Sequence, residues 1–317
     1  MVRKKLTKVG AGKVGASLAQ AVALTGLVDI LLIDVPNTKG MPAGKALDIL
    51  EAGPVFEYDC VIRGGTDWAL AKGSDIIVVT AGAPRKPGMS REDLLTINAS
   101  IVTEVSEQIK ANAPLALVIV VSNPLDAMCT VVQRVTGFPR QRVIGMAGVL
   151  DSARMRTFIA QELKVSVENV HAFVLGGHGD TMVPLPRYST VSGIPLPELL
   201  PTDKVKAIIQ RTRNGGAEIV QLLEDGSAYY APAASILEMI EAILLDKKKI
   251  LPCAVMLNGE YGVKDYFIGV PAKLGAGGVE EVITLKLNPE EQKAFQHSVE
   301  AIKNLVKALD LKKDDLF

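Results

Sequence analysis

Apolar positions along the first half of the chain fall in short, nearly unbroken runs separated by amphipathic stretches. Residues 6–9, 28–34, 60–63, 76–80, 116–122 and 143–145 read as strands, and residues 16–24, 42–51 and 92–111 as helices. Strands that are apolar throughout are buried on both faces, which predicts a parallel sheet covered by helices. A further helix opens within residues 148–154. Beyond it the pattern changes: residues 183–185 and 194–195 suggest short antiparallel strands. Helices are expected over 203–223, interrupted at Gly215-Gly216, and over 233–245. Residues 250–258, 266–270 and 281–285 read as a meander, closed by a helix from 289 to about 309. With 317 residues the chain exceeds one ordinary core. The expected fold is therefore α/β: a doubly wound parallel sheet over residues 1–146, followed by an α+β substrate domain over 147–317.

The first strand leads into Gly10-Ala11-Gly12-Lys13-Val14-Gly15, then a helix, then a strand ending on Asp34, 19 positions after Gly15. This order of strand, G-x-G-x-x-G, helix, strand and acid is that of a Rossmann-type dinucleotide-binding unit. Gly10 permits the tight turn, Gly12 lets backbone approach a pyrophosphate, and Gly15 lets the helix pack close to the sheet. The helix N-terminus offers unpaired N–H groups to the anion. Asp34 suits the hydroxyls of the adenosine ribose. It would repel a 2′-phosphate, and Val35 supplies no compensating cation, so NAD is expected rather than NADP. Lys8 breaks the pattern, standing where a central strand should be apolar; its stem could snorkel outward.

Composition narrows the class. Hydrophobic residues make up 48% against 22% charged, which places the chain among well-packed globular proteins. Lys plus Arg number 35 and Asp plus Glu 35, so a nucleic-acid or membrane-surface role has no global electrostatic support. Cys60, Cys129 and Cys253 are odd in number and far apart, without a Cys-x-x-Cys pair; they read as buried thiols in a reducing cytoplasm, not as a disulfide framework or zinc site. No metal site is expected. No apolar run approaches the roughly 18 residues of a membrane-spanning helix, and no export signal precedes the first strand; the expectation is a soluble cytoplasmic protein.

Ligands of doubly wound sheets bind beyond the carboxyl ends of the strands, so the residues after Thr80 and Ser122 draw notice. Asn123-Pro124-Leu125-Asp126 follows Ser122. Asn123 could donate to and accept from a ligand, or simply make an Asx turn. Residues 81–91, with two prolines and two glycines, form a non-helical segment that could hinge as a lid carrying Arg85, Lys86 and Arg91, or a solvated basic loop. Asp151 and Arg154 share one helix face, as an exposed ion pair or, if that face meets His178, as two halves of a site. His178, held in Gly176-Gly177-His178-Gly179-Asp180-Thr181, is a proton carrier by residue type; alone it reads as a surface-turn histidine. Taken together, an acid–base histidine, an orienting aspartate, a guanidinium for a carboxylate and a nicotinamide cofactor make alcohol–ketone redox chemistry.

Segments 10–15, 81–91, 122–126, 148–154 and 176–181, with Gly226-Ser227-Ala228-Tyr229-Tyr230-Ala231-Pro232, resemble the lactate/malate dehydrogenase family in order and spacing over nearly the whole chain. Within it the chain is similar to the lactate-dehydrogenase-like malate dehydrogenases. The resemblance implies reversible hydride transfer between malate or oxaloacetate and NAD, with His178 as proton acceptor and donor and Asp151 as its partner. Arg154 becomes the carboxylate fork, Arg91 the polariser of the carbonyl, and Asn123 a contact to substrate and nicotinamide. It also implies cofactor contacts at Gly10, Ala11, Gly12, Lys13, Val14, Gly15, Asp34, Asn98, Val121, Ser122 and Asn123. Arg85 stands where lactate enzymes carry a neutral glutamine and suits a second carboxylate, so the expected partner is a small dicarboxylate. A place in the tricarboxylic acid cycle and a homo-oligomer, a tetramer ahead of a dimer, are implied likewise. The rivals are a lactate or broader 2-hydroxyacid dehydrogenase and, from another class, a non-catalytic NAD-binding sensor.

Overall fold

The computed structural model describes residues 3–83, 91–224 and 226–310, and of residues 91, 92 and 310 the backbone alone. In the first half, β1 (Lys4–Val9) runs into α1 (Lys13–Ala23) and β2 (Val28–Ile33). Next come α2 (Met41–Glu51), the short α3 (Gly53–Phe56), β3 (Ile62–Gly65) and β4 (Ile76–Val79). Then follow α4 (Arg91–Asn112), β5 (Leu117–Val120), α5 (Leu125–Thr136), β6 (Val143–Gly145) and α6 (Ala147–Leu163). The six strands pair in parallel in the order β3-β2-β1-β4-β5-β6. Every residue of β4, β5 and β6 is buried, as expected of strands covered by helices on both faces. After β3 the chain crosses back to β4 beside β1, and such a reversal opens a crevice at the carboxyl ends of the two strands. Gly10 and Thr80 stand there.

The second half comprises β7 (Val170–His171), β8 (Val174–Leu175), β9 (Val183–Pro184), β10 (Thr190–Val191), β11 (Ile194–Pro195), α7 (Leu196–Leu199), α8 (Thr202–Leu223), α9 (Tyr230–Leu244), β12 (Lys249–Asn258), β13 (Lys264–Gly275), β14 (Gly278–Val282) and α10 (Pro289–Asp310). β8 pairs antiparallel with β9, and β10 with both β7 and β11. The expected meander, β12-β13-β14, does not stand apart. β12 pairs with β6 at Ala254 and Gly145, extending the parallel sheet into one of nine strands among the described residues. The fit is tight: a Cβ on Gly145 would stand 2.8 Å from both Ala254 Cβ and Cys129 Sγ. The division expected at residues 146/147 falls between β6 and α6, while one hydrophobic cluster runs across it from Leu6 and Ile30 to Val255 and Ile268. All three cysteines are buried free thiols, and no described helix is long and apolar enough to cross a membrane.

Four local features depart from the sequence pattern. α8 is continuous through Gly215-Gly216. Glycine weakens a helix by roughly 0.5–1 kcal/mol without breaking it, and here the missing side chains make room for Arg154, whose Cδ would lie 3.0 Å from a Cβ on Gly215. Lys8 does not snorkel: it is 1% exposed, and burial holds its amine well below the usual lysine range despite the opposing pull of Asp34. Lys247, Lys248 and Lys249 are not merely a solvated turn, since each pairs with a carboxylate (Glu241, Asp246 and Glu280, and Glu238) and Lys249 opens β12. α5 is unexpected, because Thr130, Val131, Val132, Val135 and Thr136 are poor helix formers; burial of nearly the whole helix against the sheet overrides that preference.

Gly176, just past β8, exchanges two backbone hydrogen bonds with Gly269 of β13, at 2.8 and 3.1 Å. A Cβ on Gly269 would stand 2.5 Å from the Gly176 carbonyl oxygen. Gly269→Ala is therefore expected to destabilise the protein by about 1–3 kcal/mol through overpacking. Denaturant unfolding measures this, and an unchanged midpoint would contradict the close approach.

Candidate active site

The turn after β1 is crowded on its sheet side and open on its outer side. Gly10 has φ +94°, and a Cβ there would meet Thr80 Oγ1 at 3.0 Å. Gly15 has still less room, its Cβ falling 2.1 Å from Gly10 O. Among the described residues, nothing stands within 4 Å of a Cβ on Gly12, the N-cap of α1, and no side chain caps the helix. A cradle lined by uncapped N–H groups fits a pyrophosphate. Asp34 bounds it, Oδ2 accepting from Ala11 N–H at 2.6 Å and Oδ1 from Val35 N–H at 2.8 Å. Of the other expected contacts in this turn, Lys13 is exposed with its Nζ 5.9 Å from the Tyr229 ring, and Val14 is half-buried.

Across the crevice, Val121 and Ser122 follow β5, and Asn123 lies exposed at its carboxyl end, joined to Pro124 by a cis peptide bond. Ser122 Oγ donates to Ala81 O. Asn98 of α4 is buried, and its amide ties backbone together: Oδ1 accepts from Ala83 N–H at 2.7 Å, while Nδ2 donates to Ala83 O at 3.2 Å and Asn123 O at 2.6 Å. In this structure Asn98 thus clasps the ends of β4 and β5. Arg85 and Lys86 lie outside the described residues, as does the side chain of Arg91, whose backbone opens α4.

His178 is carried by the loop after β8, and that loop is anchored on three elements. Gly176 is bound to β13, Gly177 N–H donates to Ser298 Oγ of α10 at 2.7 Å, and His178 N–H donates to Asp126 Oδ2 of α5 at 3.2 Å. Asp126 follows Asn123 by three residues, so this bond brings His178 to the mouth of the β5 crevice. The ring is fixed by a fourth contact, Nδ1 to Asp151 Oδ2 of α6 at 2.9 Å, with the histidine side chain 16% exposed and the aspartate 1%. Nδ1 is thereby the protonated nitrogen opposite a carboxylate, which leaves Nε2 for chemistry. Burial pulls the His178 pKa down, but the charge and hydrogen bond of Asp151 and the charge of Asp126 outweigh it and Arg154; the net shift is upward from 6.5.

The other oxygen of Asp151, Oδ1, accepts from Arg154 Nη1 at 3.2 Å. Arg154 is 13% exposed at its side chain, and its buried Nε has no hydrogen-bond partner among the described residues. An unpaired buried guanidinium N–H beside a proton carrier suits a carboxylate-bearing ligand, because a bidentate guanidinium–carboxylate pair would satisfy it.

Family models match nearly all of this architecture. The NAD binding domain of lactate/malate dehydrogenase covers residues 4–145, and the alpha/beta C-terminal domain of lactate/malate dehydrogenase covers 148–311. The chain belongs to the lactate/malate dehydrogenase family. It is 56% identical to a malate dehydrogenase of Rhodopirellula baltica over 98% of both chains. Its fold matches a malate dehydrogenase of Picrophilus torridus in its apo form at a TM-score of 0.96, with 48% identity over 99% of this chain and 100% of that one. It also matches a lactate dehydrogenase of Cryptosporidium parvum complexed with lactic acid and nicotinamide adenine dinucleotide at a TM-score of 0.94, with 40% identity over 98% and 99% of the two chains.

For a member of this family, one residue of the site was not legible as such. Asp126 is 4% exposed, touches the histidine loop, and leaves Oδ1 without a partner among the described residues. In sequence it is the last residue of Asn123-Pro124-Leu125-Asp126 at a strand end, where nothing local separates a buried acid from a solvated one. Burial pushes its pKa from 3.8 to about 7, against the charge of His178 and its backbone hydrogen bond. An acid whose pKa is higher folded than unfolded holds extra protons in the folded state, so its contribution to stability falls as pH rises from near 4 through 7. Asp126→Asn should flatten that fall, gaining on the parent protein as pH rises. Melting temperature followed against pH tests this, and two parallel curves would contradict the buried acid.

Proposed function

We propose that the protein is an NAD-dependent malate dehydrogenase, interconverting malate and oxaloacetate. The observation that carries this reading is the Asp151 carboxylate, which holds His178 Nδ1 with one oxygen and Arg154 Nη1 with the other, on a guanidinium whose buried Nε has no hydrogen-bond partner among the described residues. In the direction of reduction, His178 starts protonated and gives its Nε2 proton to the carbonyl oxygen of oxaloacetate; in the reverse direction it takes the proton from the malate hydroxyl. Proton transfer of this kind contributes typically ~10²–10⁴ in rate. Asp151 keeps the ring in the productive tautomer and stabilises the imidazolium. Arg154 forks onto the carboxylate next to the reacting carbon, Arg91 polarises the carbonyl, and Asn123 holds the substrate toward the ring. NAD supplies or accepts the hydride when bound in the cradle of Gly10, Ala11, Gly12, Lys13, Val14 and Gly15, with Asp34 taking the adenosine ribose and Asn98, Val121, Ser122 and Asn123 toward the nicotinamide side.

Arg85 selects the dicarboxylate by pairing with the second carboxylate. A hydrogen bond between charged groups contributes about 1.5–3 kcal/mol. The alternative, a lactate or broader 2-hydroxyacid dehydrogenase, is kept alive by the lactate dehydrogenase that shares this fold at 40% identity. The exposed Leu47, Leu50, Val55 and Phe56 on α2 and α3 support a homo-oligomer, for which a tetramer is proposed over a dimer. Residence in the cytoplasm and service in the tricarboxylic acid cycle complete the reading.

The test is NADH oxidation with oxaloacetate and with pyruvate, run on the parent protein and on Arg85→Gln. Oxaloacetate should be strongly preferred, and the variant should lose about one to two orders of magnitude in kcat/KM for it while gaining on pyruvate. Equal use of both substrates by the parent, or unchanged selectivity in the variant, would overturn the dicarboxylate assignment.

A further inference from the structure

Lys8 is buried more completely than any other described lysine or arginine, and nothing in the mechanism above uses it. It lies in β1 opposite Leu32 of β2 and Val78 of β4, both apolar. Its side chain runs beneath the glycine turn: Cε stands 3.3 Å from where a Cβ on Gly15 would be. Nζ donates to Val9 O at 2.9 Å, to Gly10 O at 3.1 Å and to Thr80 Oγ1. Three acceptors match the three donors of an ammonium, whereas a neutral amine has two.

The hydrogen bonds of a charged Lys8 are thus met, but its charge is not. Among the described residues no carboxylate is hydrogen-bonded to it. Asp34, at the end of β2, acts only through space, and its oxygens are bonded to Ala11 and Val35. Among the described residues, two further cations stand at the turn: Lys13 at the start of α1, and Lys45 of α2, whose Nζ donates to Ala11 O at 2.7 Å. A buried ammonium without a counterion is unfavourable. On the far side of the same turn is the open cradle around Gly12.

We propose that Lys8 is the buried counter-charge of the cofactor's pyrophosphate, so that the dinucleotide binds together with a proton on this amine. The proposal rests on the reading of the glycine turn as the NAD site and assigns that site a cation at its base. In the free protein, burial favours the neutral amine. Two phosphate charges across the turn favour the ammonium. Binding therefore draws a proton from solvent, and affinity falls as pH rises between the free and bound pKa values, by up to about tenfold per pH unit for one proton. Lys8 acts on the cofactor through the Gly10 carbonyl and through space, as a positioning residue.

The probe is ADP-ribose, which carries the pyrophosphate but no nicotinamide and so leaves the chemistry of His178 aside. Calorimetric titrations in two buffers of different protonation enthalpy, between about pH 6 and 9, count the protons taken up per ligand. The parent protein should take up as much as one proton, with a dissociation constant that rises with pH. Lys8→Met, which fills the same space without charge, should take up none, bind at least tenfold more weakly at the acid end, and show a flat profile. Equal proton uptake in parent and variant would overturn the proposal. So would uptake of no proton by the parent, a result that needs no variant to fold. A parent protein that binds no ADP-ribose would sink the cofactor reading as well, while binding without proton uptake would sink this proposal alone and leave the oxaloacetate assay untouched.

Discussion

One buried carboxylate sets the geometry on which the site depends. Asp151, 1% exposed, divides its two oxygens between an imidazole and a guanidinium, to which the proposed mechanism gives different roles, one moving a proton and the other seating a charged ligand. A carboxylate removed from water needs both partners, since burying an unpaired charge is far more costly than exposing it. The demand is mutual. The loop anchored on β13, α5 and α10 brings the imidazole to the anion, the helix α6 sets the guanidinium three residues along, and the shared carboxylate holds both at hydrogen-bond distance.

The fold enforces this arrangement by joining two halves through one sheet. The meander β12-β13-β14 continues the parallel sheet across Gly145 and Ala254, and β13 then grips Gly176 at the root of the histidine loop. Small residues mark each close approach. Gly145 admits Ala254, Gly269 admits Gly176, and Gly215 admits Arg154. A doubly wound sheet opens its crevice where the strand order reverses, and here the second half of the chain is threaded so that His178 is tied through Asp126 to the first turn of α5, just beyond the carboxyl end of β5.

Much of this was legible from spacing alone. The turn of Gly10, Gly12 and Gly15, the strand that ends on Asp34, the apolar runs of β4 and β5, and the candidate status of His178 all follow from local pattern. What local pattern leaves open is whether a polar residue is buried. Asp151 and Arg154 at i,i+3 fit an exposed ion pair equally well; the decision comes from Gly215 and Gly216, about sixty residues away in sequence, which let α8 close over Arg154. The same two glycines misled the reading of α8, because a pair of glycines speaks for a break unless the bulk that replaces their side chains is known. Asp126 and the helix α5 escaped for a related reason: their stability comes from the sheet beneath them, not from propensity. Lys8 was visible as an anomaly, but only the carbonyls of Val9 and Gly10 and the hydroxyl of Thr80 explain how an amine resides there.

The central claim, that Asp151 holds His178 in its tautomer and favours its charged form, is tested most directly by an NMR titration of the His178 ring nitrogens in the parent protein and in Asp151→Asn. The account predicts a midpoint above the ordinary histidine value of 6.5 in the parent, with the proton of the neutral ring on Nδ1. In the variant the midpoint should drop below that of the parent and the tautomers should mix. A midpoint and tautomer unchanged by the substitution would contradict it.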